Sequence, residues 1–365
     1  MPRNSLLFSL FSAFALALAA PVTHAEQGAI LKPVDAKVNS PREALRTQIF
    51  GAEAAQPGCK TVAADVDQDL SLFIKKVVDA VKRKDDKALQ PLFHTHLNTS
   101  LTAINDTFGR MDLIYGKGQD VSVYRLFALN SVDGAPVGVA CDGGQERAFA
   151  LYGYPLQFGL WLQLQGPKEL GRAFIHIVPA DGHWTIGSFH LHQWTHGEKD
   201  AEAWANEGLK ASGAGHKGSA FVFYDIAAKL LDAGNHLELP ARNDLLKARD
   251  AQYTPDAWDK MLKAVLNAYK VSYTASMLVP DTGTAALLVR QTVDGEVSVE
   301  HIENTCAAMA LTVAATNWAK DLSGIRCGFN LPRESPKDEG LLGSIYMTFE
   351  DAQKHTEKLA KAKKQ

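Results

Sequence analysis

The chain has 365 residues, 46% hydrophobic and 22% charged, with a formal net charge of -3. This globular mixture excludes wholesale disorder, collagen and long coiled coil. The balance of 38 Lys+Arg against 41 Asp+Glu excludes a global basic field for nucleic acid or anionic membrane, and the length suffices for two or three domains with cores of their own.

Residues 1–25 read as a cleaved signal peptide. Arg3 supplies a positive start, Leu6 to Ala20 carries no charge, and Thr23-His24-Ala25 offers a small-residue cleavage site before Glu26. The uncharged run is short for a bilayer span, which needs about 20 apolar residues. A retained N-terminal anchor is the alternative. No Cys follows the run directly, which argues against a lipid anchor. The expectation is a periplasmic or secreted protein with no transmembrane segment in the mature chain. In an oxidising compartment the four cysteines, Cys59, Cys141, Cys306 and Cys327, favour two disulfides. Of three connectivities, Cys59–Cys141 with Cys306–Cys327 keeps each bridge local and is preferred. The second would join a helix near its start to a strand returning along it, a link of about 3 kcal/mol on the chain-entropy model. Buried free thiols are the rival reading; the absence of CxxC spacing argues against a metal site.

Residues 26–66 lack clear periodicity and read as an extended lead-in. From Asp67 the spacing of Leu70, Phe73, Ile74, Val77, Val78 and Val81 predicts an amphipathic helix. A second helical stretch carries Leu89, Leu92, Phe93, Leu97, Leu101, Ile104 and Phe108. After Gly116 the period switches to two. Strands are predicted over Val121–Leu129, Val137–Cys141, Arg147–Tyr152, Leu156–Leu164, Arg172–Val178 and Trp184–Gln193, separated by Gly-containing turns. Leu156 to Gln165 alternates most cleanly, with an aliphatic face and a face of Gln157, Trp161, Gln163 and Gln165. Ala201–Ser212 and Ser219–Ala233 predict a helical hairpin. Trp204, Gly208, Ala220, Tyr224 and Ala227 resemble part of one tetratricopeptide repeat, but no second copy follows, so an ordinary helix pair is favoured. Strands over Tyr273–Val279 and Thr284–Thr292, a helix over Val299–Lys320, and strands over Ile325–Asn330 and Leu342–Phe349 complete the pattern. Lys354, Lys358, Lys361, Lys363 and Lys364 form a basic tail, read as a solvated, fraying helix end.

The fold class is therefore α+β. The expected divisions are a signal peptide (1–25), the lead-in (26–66), an α+β domain (67–198), a helical segment (199–270), a smaller C-terminal α+β domain (271–350) and the tail (351–365). Two amphipathic helices, about six antiparallel strands and the closing stretch His183 to Trp194 resemble the nuclear transport factor two-like, or ketosteroid isomerase-like, cone fold over roughly residues 67–195. That resemblance implies a curved sheet wrapped on helices with a pocket at the open end of the cone. The family holds isomerases, dehydratases and epoxide hydrolases beside catalytically silent binding modules. No family catalytic residue is matched by motif here.

The strongest candidate site is the last of these strands. His190 and His192 share a face, because residues two apart on a strand project to the same side. Continuous alternation adds Trp184, Ile186 and Ser188, a mixture of apolar walls and a few donors suited to a small molecule. Tyr152 and Trp161 are further candidates for the lining. A His-x-His pair can bind zinc or copper, and the strand register decides whether a third ligand lies within reach. A hairpin turning at Asp181-Gly182 sets His176 opposite Gly187 and His190 opposite Ala173, which puts His176 on the wrong side; a one-residue slip would reverse this. His94 and His96 diverge on a helix, and His196 remains able to swing in. No metal or cofactor is expected. There is no Gly-x-Ser-x-Gly elbow, phosphate loop or His-Glu-x-x-His helix, and the sequons at Asn98 and Asn105 decide nothing. The expected function is an exported, non-catalytic binding or accessory protein with a small-molecule ligand or an envelope protein partner. The alternatives are a pocket enzyme of the isomerase, lyase or hydrolase kind, using His190 or His192 as general base, and a periplasmic metal carrier.

Overall fold

The computed structural model describes residues 40–97, 99–131, 138–141, 144, 146–149, 154–180, 182–234, 237–279, 284–293, 298–316, 319–320, 322–330 and 341–362. The expected signal peptide (1–25), Tyr152, Lys363 and Lys364 lie outside these residues. The protein is mixed α+β, and it divides into two compact units. One comprises Gly28–Ala203 with Ala227–Leu246, the other Trp204–Ile226 with Lys247 to the C-terminus. The expected helical segment 199–270 is thus shared between the two units.

The first unit opens with α1 (Ser40–Phe50) and β1 (Gly58–Val62), where an extended lead-in was expected. Long-range contacts fix α1: Arg46 Nε donates to Asn130 Oδ1 at 2.7 Å, and its guanidinium also reaches the Ala54 carbonyl. The periodic stripe then forms α2 (Gln68–Arg83), capped by Asp67, whose side chain accepts from the Leu70 N–H. Leu70, Phe73, Ile74, Val77, Ala80 and Val81 are its buried face. The second helical stretch is broken. A short α3 (Asp86–Leu89) leads into two 3-10 turns, and α4 (Leu101–Tyr115) starts only after the Ser100 cap. Pro91 cannot continue a helix. His94 sits in the break, its N–H donating to the Ile186 carbonyl and its Nε2 2.9 Å from the Tyr154 hydroxyl.

The chain continues through β2 (Asp120–Asn130), β3 (Gly138–Ala140), β4 (Arg147–Phe149), β5 (Leu156–Gln165), β6 (Leu170–Ala180) and β7 (His183–Gln193). Strands β1, β2, β5, β6 and β7 form a five-stranded sheet in that order, antiparallel throughout. Its β5 carries the aliphatic row Leu156, Phe158, Leu160, Leu162 and Leu164, which packs with Phe73, Val77, Ile104, Phe108 and Met111 of α2 and α4. Each fully buried side chain of this kind contributes roughly 1.5–3 kcal/mol. The other face was expected to be different, and it is, but it is also covered. Gln157, Gly159 and Trp161 are buried under a second layer.

That layer is a three-stranded sheet in the order β3, β4, β8, where β8 (Leu237–Glu238) arrives from far along the chain. Leu129, Phe127, Trp161 and Phe174 of the large sheet pack with Val139, Ala148, Ala233, Leu237 and Leu239 of the cover. The Cys59–Cys141 disulfide, with Cα atoms 4.7 Å apart, ties β1 to the end of β3.

Helices α5 (Ala201–Gly213) and α6 (Lys217–Leu230) form the expected hairpin, and α7 (Pro240–Gln252) and α8 (Pro255–Val265) follow. Within the second unit Trp204 lies 5.6 Å from Phe223, Phe221 stacks on Trp258 at 4.2 Å, and Arg249 pairs with Asp225 at 2.8 Å. Strands β9 (Val271–Val279) and β10 (Thr284–Thr292), helix α9 (Val299–Ala314), and strands β11 (Gly324–Asn330) and β12 (Leu341–Thr348) build a sheet in the order β12, β11, β10, β9. β10 and β11 are parallel with α9 as their crossover. The strand β11 brings Cys327 back to Cys306 on α9, the second expected disulfide. The basic tail forms α10 (Phe349–Ala362). It docks rather than fraying: Ala352 is fully buried and His355 Nε2 lies 2.7 Å from Asn304 Oδ1. Among the described residues no helix is long and apolar enough to cross a membrane.

Candidate functional site

The covered face of the five-stranded sheet brings most of the expected site residues together. Its register decides which. Between β6 and β7 the pairing runs Ala180↔His183, Pro179↔Trp184 and Ile177↔Ile186, then shifts to His176↔Ser188, Phe174↔His190 and Arg172↔His192. Gly187 is the extra residue. A bulge of this kind interrupts alternation, so the residues on its two sides face opposite ways.

Two expectations are corrected by this one residue. Trp184 and Ile186 do not share a face with the histidines: they belong to the helix-side core. Trp184 meets Phe158 edge-on at 5.2 Å, and the Arg42 guanidinium of α1 lies over its ring at 4.6 Å. His176, expected on the wrong side, is instead paired with Ser188 on the face that carries His190 and His192. The signal was present in the sequence, because an isolated Gly inside a strand pattern marks a bulge.

Trp161, Ser188, His190 and His192 therefore share the covered face, joined by Arg172 and Trp194, which alternation within β7 does not reach. The rings of Trp161, His192 and Trp194 lie 5.6–6.5 Å apart pairwise. The Arg172 guanidinium is sandwiched over Trp194 at 3.4 Å and over Tyr124 at 3.9 Å. Such cation–π contacts hold a desolvated cation in place. Glu146 pairs with Arg125 at 3.2 Å beside it, and burial raises the Glu146 carboxyl above its ordinary range.

Burial dominates the electrostatics. His192 is 2% exposed, and its ring is pushed down to about 3 by burial, with His190 adding to the shift. Burial lowers His190 and Arg172 as well. The Asp232 main chain faces both imidazoles and favours their charged forms, against the larger effect of burial. In His192, Nε2 is buried with no hydrogen-bond partner among the described residues. Trp161 Nε1, Arg172 Nε and Ser188 Oγ are likewise buried with no hydrogen-bond partner among the described residues. Two of these are obligate donors and one is a hydroxyl, so the site offers both donor and acceptor capacity between aromatic rings.

The cover is specific to the histidines. Gly234 has a positive φ of 83°, and a Cβ there would lie 2.9 Å from the His190 ring. The Asp232 carboxylate accepts from the Gly234 N–H at 3.3 Å and from Arg242 at 3.2 Å. His196 does not swing in. It is buried beside Glu169, and Gln193 Nε2 lies 2.7 Å from its Nδ1. Among the described residues no three His, Cys, Asp or Glu side chains converge as a metal set.

No protein-family model matches the chain, and no curated protein matches it. Among solved structures, the protein Bd1075 of Bdellovibrio bacteriovorus is similar over 37% of this chain and 44% of its own, at 12% identity and a TM-score of 0.24.

Proposed function

We propose that this is an exported, non-catalytic binding protein whose ligand is held on Trp161, Arg172, Ser188, His190 and His192, between the five-stranded sheet and its cover. One observation carries the reading: four buried polar atoms on one sheet face have no hydrogen-bond partner among the described residues. Folded proteins leave few such groups, and each costs about 1–3 kcal/mol. A ligand with its own donors and acceptors would recover that loss, and the flanking aromatic rings would supply apolar contact. The general-base reading has less support, because an imidazole titrating near 3 is a weak proton acceptor at neutral pH.

Export is supported by the two disulfides, which belong to oxidising compartments, and by the signal-like residues 1–25, pointing to the periplasm or the extracellular space. The order of two helices and an antiparallel sheet supports kinship with the cone fold, whose members include silent binding modules. Native mass spectrometry of the protein isolated from its natural source tests the binding. A stoichiometric non-covalent adduct is expected, lost in the Trp161→Phe/His192→Phe variant. A bare chain mass in both proteins would show that the polar atoms meet only water, and the reading would fall.

A further inference from the structure

Residues Leu231–Gly234 and Leu237–Leu239 lie as a strap over the histidine face. Among the described residues its hold on the sheet is small: β8 is two residues long and pairs with Arg147 and Ala148 of β4. Among the described residues the further attachments are apolar packing by Leu231, Ala233, Leu237 and Leu239, the seat of the His190 ring against Gly234, and the Asp232 main chain facing both imidazoles. We propose that this strap is an acid-released cover, opened when His190 and His192 take up protons. As a control on ligand access the proposal rests on the binding reading above; as an acid-driven opening it does not.

The geometry supplies the mechanism. In the closed form the His192 ring is enclosed by Trp161, Trp194, Arg172 and the strap, and His190 abuts the Gly234 backbone. In the His192 cation both ring nitrogens carry a proton, and no acceptor among the described residues meets the one at Nε2. The charges facing the pair do not offset this. Arg172 on β6 and the His190 ring disfavour the cation at His192, and Arg110 on α4 disfavours it at His190. Asp232 favours the cations, but its carboxylate is already engaged by Arg242 and the Gly234 N–H. Lifting the strap exposes the rings to water, where an imidazole titrates near 6.5.

The sign follows. A histidine depressed in the closed form binds more protons in the open form, so closure is undiminished above pH 6.5 and weakens as pH falls towards the closed-form value. Each pH unit below 6.5 shifts the balance tenfold towards opening. For His192, held at about 3 while closed, the opening constant rises about 30-fold from pH 7.5 to pH 5.0.

Amide hydrogen exchange on the full chain, corrected for the intrinsic effect of pH and without added ligand, reads this directly. Peptides over 231–239 should lose about 30-fold or more in protection between pH 7.5 and 5.0, while those over 70–81 in α2 keep theirs. The His190→Phe/His192→Phe variant should show no such dependence. If that variant does not fold, Gly234→Ala carries the test: its Cβ displaces the His190 ring, so the strap should exchange fast already at pH 7.5 with little further change on acidification. Unchanged strap protection in the wild type, equal loss in α2, or full pH dependence in the substituted proteins would overturn the proposal. Since no ligand is used, its failure leaves the adduct measurement standing, and the reverse also holds.

Discussion

Tyr115 closes α4 and lays its ring against Gly171 of β6, and its hydroxyl donates to the His192 main-chain carbonyl at 3.1 Å. The phenol is 1% exposed, and burial pushes its ionisation upward. A Cβ on Gly171 would fall inside the van der Waals envelope of Cζ, Cε1 and the hydroxyl. The glycine is thus required by close approach, and it sets how near α4 comes to the sheet that carries the histidines. Gly171→Ala should destabilise the protein by about 1–3 kcal/mol, the usual range for overpacking. Urea denaturation measures this; a midpoint equal to that of the wild type would mean that the Tyr115 contact does not constrain the helix. Tyr115 anchors β7 on the helix side just where His192 meets the strap on the other, so one strand is clamped from both faces at its functional residue.

The two faces of strand β7 are reconciled by its bulge. Without the bulge, continuous alternation from residue 184 to residue 192 would place Trp184 and His192 on one face. Deleting Gly187 keeps them apart: Ile186 and Ser188 become chain neighbours, still on opposite faces, and their pairing with Ile177 and His176 becomes regular. The deletion variant is expected to keep a cooperative thermal transition and to cost no more than an ordinary substitution, about 0.5–3 kcal/mol; loss of the cooperative transition would show that Gly187 itself, and not the pairing, holds the two faces. The same element shows where sequence reading stops. The α2 stripe and the β5 alternation were legible from local periodicity, and the Cys306–Cys327 bridge from its separation of 21 residues; Cys59–Cys141, 82 residues apart, is then the pair that remains. The face of Trp184 was not, since period-two reasoning breaks at one unpaired residue. Helix α1 and strand β8 were not legible either. Arg46 is fixed by Asn130, and β8 by two residues of β4, partners distant in the chain. Of the candidate residues, Trp161, Ser188, His190 and His192 were legible from alternation alone. Arg172 and Trp194 complete the site through a register that only the folded sheet sets.

At the scale of the molecule, chain continuity and compactness part company. The unit that carries the site takes Gly28–Ala203 and then Ala227–Leu246, so its cover is supplied only after the chain has contributed Trp204–Ile226 to the other unit. A fragment ending at Ala203 has every strand of the five-stranded sheet but lacks Ala233, Leu237 and Leu239. It leaves open the face formed by Phe127, Leu129, Trp161 and Phe174, all at most 1% exposed in the intact fold. An apolar face of that kind in water promotes association. A fragment ending at Leu246 restores the cover and should keep Trp161 shielded. The expected outcome is that the emission of Trp161 is red-shifted in the shorter fragment and not in the longer one. Tryptophans outside the site are controlled by comparing each fragment with its own Trp161→Phe form. If the shorter fragment were monomeric, cooperative and spectrally like the longer, the sheet would be stable without its cover. The strap would then be dispensable to the fold, and its tie to the two imidazoles would need another reason.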